Sequence, residues 1–388
     1  MQKSKEREPF MTHCLTARKA LPLTFLLAFF SLFAEAAQTT VNKITYIKGT
    51  FPPVAESRLG VCSFNIKWLG HYKNRDNRSL ARVLRGCDLV VVQEMVAPPW
   101  TVRVDEAGMQ KELKGDAESA GFVAAMAEEG FDGTWLSEED TGPNRNHTAG
   151  PASEWNILFY RSSKVEEARD LPHGFIDYPL AKNPLHDRVP YAFAVRSKDE
   201  EGGQVDLVLI SVHLHASNYQ KGDLQSSMAR RILQFSGISS WINDMKKNHP
   251  SSERDFYVMG DTNIENSEEL AGFLGSPTGE VKSLVNKMSG GLGVTPEFSL
   301  MRTYRSLNSK VVNGKTELAA TNVTLSKPFD HIFYSIEKGG IEIIPTFSII
   351  DLAGTFVRDY QDSNDSFMMK YSDHDPIRFE LKIQRDND

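Results

Sequence analysis

Six short apolar runs in the chain begin or end on residues that can hold a metal ion or move a proton. Asn65 interrupts the run Cys62-Ser63-Phe64-Asn65-Ile66-Lys67-Trp68, Gln93-Glu94 follow Leu89-Val90-Val91-Val92, and His213 follows Leu209-Ile210-Ser211-Val212. Asp261 and Asn263 follow Tyr257-Val258-Met259-Gly260, Asp330-His331 precede Ile332-Phe333, and Ser372-Asp373-His374-Asp375 lead into the last run. If these ends point the same way, one cleft collects Asn65, Glu94, His213, Asp261, Asn263, Asp330, Asp373 and His374. Carboxylate and amide oxygens suit Mg2+, Mn2+ or Ca2+ better than zinc. A histidine held by a carboxylate can take a proton from an attacking water, because its ordinary pKa lies near neutrality, and a second histidine can protonate a leaving oxygen. This is the equipment for metal-assisted attack of water on a phosphate ester. Singly, each residue is a weak signal: a strand-end glutamate such as Glu94 is most often a solvated surface residue. His215 reads as a structural histidine, and Asp375-Pro376 as a turn into the final strand. The ordered set carries the reading.

The elements that must position these residues are mostly strands. Apolar, β-branched runs mark strand candidates at Gly60–Ile66, Asp88–Val92, Trp155–Tyr160, Tyr191–Val195, Val205–Val212, Asp255–Met259, His331–Tyr334, Ile341–Ile350 and Ile377–Ile383. Helical spacing predicts Ser79–Arg85 and a long helix from about Asp223 to Lys247, whose Leu224, Met228, Ile232, Phe235, Ile238, Ile242 and Met245 form a stripe suited to core packing. Strands outnumber helices, so the expected fold is an α/β sandwich of two packed mixed sheets flanked by helices, not a βαβ barrel. No repeat or composition shift marks a second domain, and residues 59–384 are read as one domain after a lead-in at 37–58. The segments Gly130–Ser153 and Asn286–Thr303 read as long loops of the kind that shape binding sites.

Charge limits the partners. The formal net charge of −7 excludes a protein-wide basic field that would attract nucleic acid, so polyanion binding must be local. The N-terminus reads as a signal peptide: Arg18-Lys19, an apolar run from Leu21 to Phe33, then Ala34-Glu35-Ala36, with cleavage expected after Ala36 and a secreted or periplasmic product. Residues 1–36 carry five basic and three acidic residues, so the chain without them has a formal charge of −9. Of the three cysteines, Cys62 and Cys87 remain. With Asn65 and Glu94 level at neighbouring strand ends, these two are staggered by roughly 13 Å. That exceeds disulfide reach, and the reading favours two buried free thiols, a bridge requiring a different register.

Taken in order, Phe64-Asn65-Ile66, Gln93-Glu94, His213-Leu214, Gly260-Asp261-Thr262-Asn263, Asp330-His331-Ile332 and Ser372-Asp373-His374 resemble the motifs of the endonuclease/exonuclease/phosphatase superfamily over nearly all of the chain from Leu59. The resemblance implies a four-layer, deoxyribonuclease I-like sandwich. It implies that Glu94 is the principal metal ligand with Asn65 beside it and Asp373 at the metal edge, the ion being Mg2+, with Mn2+ or Ca2+ as alternatives. It further implies that Asp261 and Asn263 orient water and phosphate, that His374 polarised by Asp330 is the general base, and that His213 handles the leaving group. Glu154, opening Glu154-Trp155-Asn156-Ile157, resembles the glutamate that braces the first histidine in the deoxyribonuclease branch. Arg188-Val189-Pro190 resembles that branch's phosphate-contacting element, a task suited to a guanidinium fork. Thr262 departs from the aromatic residue often found inside the Gly-Asp-x-Asn motif.

These features lead to an expected activity: a secreted, metal-dependent phosphodiesterase, foremost an endonuclease hydrolysing DNA. A sphingomyelinase-like or inositol-phosphate esterase acting on phospholipid or a small phosphoester is the alternative, and a catalytically silent binding module ranks last. Arg145, Arg188, Arg302, Arg305 and Lys310 are candidates for a basic groove, Gly290–Phe298 for a small lipid-binding hairpin. Nothing in the sequence points to a stable protein partner.

Overall fold

In the central strands, residues alternate between two apolar environments, and that alternation sets the architecture. The computed structural model describes residues 43–106, 109–141, 154–176, 187–198, 204–217, 224–251, 253–323, 326–335 and 343–383. The signal-peptide reading of 1–36 lies outside them. The strands are β1 (Lys43–Ile47), β2 (Arg58–Leu69), β3 (Leu89–Met95), β4 (Val102–Glu106), β5 (Met109–Leu113), β6 (Gly133–Leu136), β7 (Trp155–Tyr160), β8 (Val165–Glu167) and β9 (Gly174–Phe175). They continue as β10 (Tyr191–Ser197), β11 (Asp206–His213), β12 (Phe256–Asp261), β13 (Tyr304–Ser306), β14 (Ser309–Val312), β15 (Lys315–Leu318), β16 (Asp330–Ser335), β17 (Ile343–Ile350) and β18 (Ile377–Lys382). One sheet has the order β1-β17-β18-β2-β3-β7-β6, and the other β13-β16-β12-β11-β10-β8, with β9 also on β10. Two hairpins, β4-β5 and β14-β15, stand apart.

Leu59, Val61, Leu89 and Val91 of the first sheet meet Tyr191, Phe193, Leu207, Leu209, Tyr257 and Met259 of the second in a core between the sheets. The intervening residues face outward. Cys62, Phe64, Val90 and Val92 pack under helices α1 (Asn77–Leu84) and α2 (Ala117–Glu128). Val208, Ile210, Phe256 and Val258 pack under α3 (Leu224–Asn248), α4 (Ser267–Phe273) and α5 (Gly279–Gly290). The result is four layers, helix, sheet, sheet and helix, as the apolar runs imply. Helix α3 is the expected long helix, and Ile232, Phe235, Ile238 and Ile242 of its stripe are buried in the core. Among the described residues no helix is long and apolar enough to cross a membrane.

Three local expectations are corrected. Cys62 and Cys87 form a disulfide, with Cα atoms 6.1 Å apart. The stagger argument treated Cys87 as extended strand. Instead its N–H donates to the Leu84 carbonyl at 2.8 Å in the turn leaving α1, which folds Cys87 back beside β2. The bridge closes a separation of 25 residues. Replacing both cysteines by alanine is expected to cost about 3 kcal/mol of stability on loop-closure grounds, read as a lower urea midpoint at unchanged slope. Second, Gly290–Phe298 is no hairpin: Gly290 ends α5, and Leu292, Val294 and Phe298 pack against the helix-side core. Third, Asn286–Thr303 is not a continuous loop, because α5 runs to Gly290 and a short helix spans Phe298–Met301.

Candidate active site

The inner-face alternation continues past the apolar residues and ends in polar ones. On β2 the series Leu59, Val61 runs on to Ser63 and Asn65. The corresponding series end in Gln93 on β3, Ser211 and His213 on β11, and Asp261 on β12. Strands β2 and β3 are parallel, as are β11 and β12, so their C-terminal ends lie together within each sheet. Their antiparallel neighbours β7, β16 and β18 begin where those strands end, which brings Glu154, Asp330 and His374 to the same edge. Between the sheets, Gln93 bridges Ser63 Oγ at 3.3 Å and Ser211 Oγ at 3.4 Å. This polar link closes the dry core just below the site.

The first metal-ligand candidates are locked together. Asn65 Nδ2 donates to Glu94 Oε1 at 2.8 Å and to Asp261 Oδ2 at 3.0 Å. Asn65 Oδ1 accepts from the Lys67 amide at 3.0 Å, and Glu94 Oε2 accepts from the Trp68 amide at 3.1 Å. The ladder breaks here, since the β2–β3 register shifts between Asn65 and Leu69 and the β3–β7 register between Val92 and Met95. Lys67, Trp68, Glu94 and Asn263 all have left-handed backbone, with φ from 51° to 62°. Non-glycine residues seldom adopt that conformation, and it gathers where a site over-determines the backbone. Gly260 has φ +135°, and a Cβ there would lie 2.2 Å from the Val212 carbonyl oxygen, so glycine alone lets β12 lie this close to β11.

Each of the two imidazoles, His213 and His374, is braced at one nitrogen and faces Asp261 with the other. His213 Nδ1 lies 3.0 Å from Glu154 Oε1, and its Nε2 lies 3.5 Å from Asp261 Oδ2. His374 Nδ1 lies 2.8 Å from Asp330 Oδ2, and its Nε2 lies 3.6 Å from that same Asp261 oxygen. Arg188 forms an ion pair with Glu154. Asn263 Nδ2 donates to the Leu214 carbonyl at 3.0 Å, and its amide donates to Asp261 Oδ1 at 2.9 Å. Asp373 pairs with Lys67 and lies 3.9 Å from His374 Nε2. Thr262 is accommodated: its amide and hydroxyl both donate to the Phe329 carbonyl at 2.8 Å, fixing the backbone just before Asp330. Every one of the ten residues singled out from the sequence, Arg188 and Glu154 included, is thus placed in one connected cluster.

The electrostatics call for a cation. Burial alone would lower the His374 pKa, but Asp330 and Asp261 hold it well above the ordinary imidazole value. His213 is raised too, Glu154 and Asp261 outweighing burial and the Arg188 charge. Burial raises the carboxyl of Asp261, with the Asp330 charge adding to the rise. Among the described residues nothing hydrogen-bonds to the buried Asp373 Oδ1. Glu94, His213 and Asp261 can offer ligand atoms within 4.8 Å of one another, and so can Asp261, Asp330 and His374. The donor set, rich in carboxylate oxygen, fits a hard divalent ion.

No family model matches the sequence, and a search of curated proteins finds no match. Solved structures do align with the chain. The human Nocturnin catalytic domain with bound sulfate anion is 16% identical, covering 84% of this chain and 95% of its own, at a TM-score of 0.46. An endonuclease/exonuclease/phosphatase from Beutenbergia cavernae is 15% identical, covering 84% and 72%, at 0.44. An endonuclease/exonuclease/phosphatase family protein from Leptotrichia buccalis is 12% identical, covering 83% and 99%, at 0.43. The last two carry the endonuclease/exonuclease/phosphatase name. At these levels the likeness concerns the fold at most and assigns no residue a role.

Some residues sit where spacing gave no signal. Arg75 is buried and donates to the carbonyls of Ile66 at 2.6 Å, Lys67 and Tyr371, tying the irregular end of β2 to the segment before His374. Burial lowers its guanidinium to about 10, which leaves it charged at neutrality. Arg75→Ala leaves three carbonyls without their charged donor and is expected to cost about 3 kcal/mol, together with activity. A denaturant titration run beside the rate assay checks both. Ser372 Oγ donates to the Asn65 carbonyl at 2.7 Å and accepts from the His374 amide at 3.0 Å, joining first and last motifs. Burial pushes His331 down to about 3, and its Nδ1 lies 2.7 Å from Ser306 Oγ. His215 pairs with Asp187, which also accepts from Arg230 at 2.8 Å. Buried Asp375 accepts from the Leu352 amide at 2.9 Å, and burial pushes its carboxyl up to about 8.

The proposed basic groove is only partly present. Arg188 reaches the site, whereas Arg302 donates to the Gly275 carbonyl at 3.2 Å, Arg305 to those of Arg302 and Tyr304, and Lys310 pairs with Glu317 at 3.3 Å. Those three serve local partners because each lies on or beside a peripheral strand. Arg145 lies outside the described residues.

Proposed function

We propose that the chain is a divalent-metal-dependent phosphodiesterase that hydrolyses nucleic acid, DNA foremost, after export from the cytoplasm. The observation that carries the reading is the pair of imidazoles at 3.5 and 3.6 Å from one Asp261 oxygen, each braced on its far nitrogen by its own buried carboxylate. Two such groups facing one point can take a proton from water on one side of a phosphorus centre and give one to the leaving oxygen on the other. His374 in its neutral form takes the proton at Nε2, and Asp330 fixes its tautomer and carries part of the resulting charge. His213, braced by Glu154, serves the leaving oxygen. Asp261 and Asn263 orient the water and phosphate, and Arg188 faces a phosphate oxygen. Glu94 and Asn65, with Asp373 at the edge, would hold Mg2+ or Mn2+. When bound, the ion neutralises charge on the phosphoryl oxygens.

Export is supported by the N-terminal leader and by the Cys62–Cys87 bridge, since disulfides persist in oxidising compartments. The negative net charge and the few cations at the site leave DNA binding to a small number of phosphate contacts, so affinity is expected to fall only shallowly with salt. The test is an assay of the mature chain on plasmid DNA, RNA, sphingomyelin and a small phosphodiester, each with Mg2+, Mn2+ or Ca2+. Nicking of plasmid DNA is expected. Intact plasmid and intact RNA alongside hydrolysis of the lipid or the small ester overturn the nucleic-acid reading.

A further inference from the structure

The end of β2 and the turn that follows it carry three aromatic rings that the catalytic chemistry does not use. Trp68 and Tyr72 have ring centroids 5.5 Å apart at an interplanar angle of 32°, and His71 stands edge-on to both, at 5.8 and 5.3 Å. Neither Trp68 nor Tyr72 belongs to any of the three hydrophobic cores, in contrast to Trp135 and Trp155, which are buried in them. Trp68 and Tyr72 are half-buried and His71 is exposed. Large aromatic rings left outside a core and held in place commonly mark a contact surface.

These rings are held at the catalytic centre. The Trp68 amide donates to Glu94 Oε2 at 3.1 Å, so the backbone that carries the ring is tied to the chief metal-ligand candidate. The His71 amide donates to the Trp68 carbonyl at 3.0 Å, which closes the turn. Arg75 grips the carbonyls of Ile66 and Lys67, and both Lys67 and Trp68 keep left-handed backbone. A turn anchored this firmly presents its ring in one orientation, which is what a recognition surface requires.

We infer that Trp68, backed by Tyr72 and His71, is a stacking platform for a nucleobase of an unpaired strand whose phosphate lies among Glu94, Asp261 and His374. The inference rests on the phosphodiesterase reading above and names its substrate class: single-stranded or locally melted nucleic acid. A base offers its flat face to a protein ring only when it is out of the duplex stack. The rival occupant, a quaternary ammonium headgroup, is disfavoured because the Lys67 ammonium, paired with Asp373, already stands 5.3 Å from the Trp68 ring centroid, where a headgroup cation would sit. A nucleobase brings a neutral ring and does not compete for that cation position.

The experiment compares an oligothymidylate with an oligomer of equal length built of tetrahydrofuran abasic residues, which keeps the phosphodiester backbone and lacks bases. The wild-type chain with Mg2+ or Mn2+ is expected to show kcat/KM about tenfold higher on the oligothymidylate, within the range that stacking of one base supports. Trp68→Ala is expected to bring that ratio close to one, chiefly through KM on the base-bearing oligomer, and Trp68→Phe to restore most of it. A ratio unchanged by Trp68→Ala overturns the inference, even if both rates fall together, because the ring then only supports Glu94. A wild-type ratio of one overturns it as well. Loss of sphingomyelin hydrolysis in Trp68→Ala with an undisturbed oligomer ratio assigns the ring to a headgroup instead. Cleavage of neither oligomer by the wild-type chain is a separate outcome that removes the nucleic-acid reading and this inference with it.

Discussion

Replacing His374 by alanine is expected to lower kcat about a thousandfold while leaving KM within a few-fold. The imidazole is buried, held at 2.8 Å by Asp330 and directed at the Asp261 oxygen, which suits the role proposed for it, moving a proton at Nε2. Loss of a positioned acid or base typically costs 10²–10⁴ in rate. His213→Ala is expected to act on the same step, so the double variant should fall well short of the product of the two single losses. Asp330→Asn keeps the shape but weakens control of the tautomer, and a smaller loss is expected. Single-turnover rates on a defined oligonucleotide measure all four. A His374→Ala chain within tenfold of the wild type would show that the proton travels elsewhere.

Chelation is expected to remove all hydrolysis above the level of that double-histidine variant, and added Mg2+ or Mn2+ to restore it. The reason is charge. Glu94, Glu154, Asp261, Asp330 and Asp373 converge here, balanced within the cluster by the Lys67 and Arg188 cations and by whatever charge the imidazoles take up. A cation that binds only the folded chain also stabilises it, by about 2.7 kcal/mol at a hundredfold excess over Kd. The melting temperature is therefore expected to rise with Mg2+ in the wild type. Glu94→Gln keeps the Asn65 neighbour but removes one negative charge, so it should need at least about tenfold more metal for both effects. The sign with pH follows from the same charges: as pH falls the carboxylates take up protons, metal affinity drops, and the thermal shift shrinks. A melting temperature indifferent to Mg2+ while activity depends on it would move the ion to the substrate.

Much of this site was legible along the chain because its chemistry restricts residue types. Metal and phosphate work demands carboxylate, amide, imidazole and guanidinium groups, and a polar residue that ends a strongly apolar alternating run is conspicuous. Asn65, Glu94, His213 and Asp261 announced themselves in that way, and the nine apolar runs all became strands. The strands that escaped notice, such as β1, β4, β5 and β14, expose much of their surface or pair only in small hairpins, so they lack an apolar alternation to read.

The tertiary structure alone decided everything that depends on how distant segments cross. Arg75 shows nothing in its own neighbourhood, because its acceptors include a carbonyl 296 residues away. The aromatic turn at Trp68 became a candidate recognition surface only once the cores were seen to leave it out, and His215 found its partner in Asp187, 28 residues earlier. The cysteine pairing went against the strand-register argument because one turn after α1 folds Cys87 back, a displacement no periodicity encodes. The sequence by itself determined which chemistry the chain can perform, since side-chain type is local. Which groups face one another, brace one another or stand idle was settled by packing, since that depends on the register and crossing of strands.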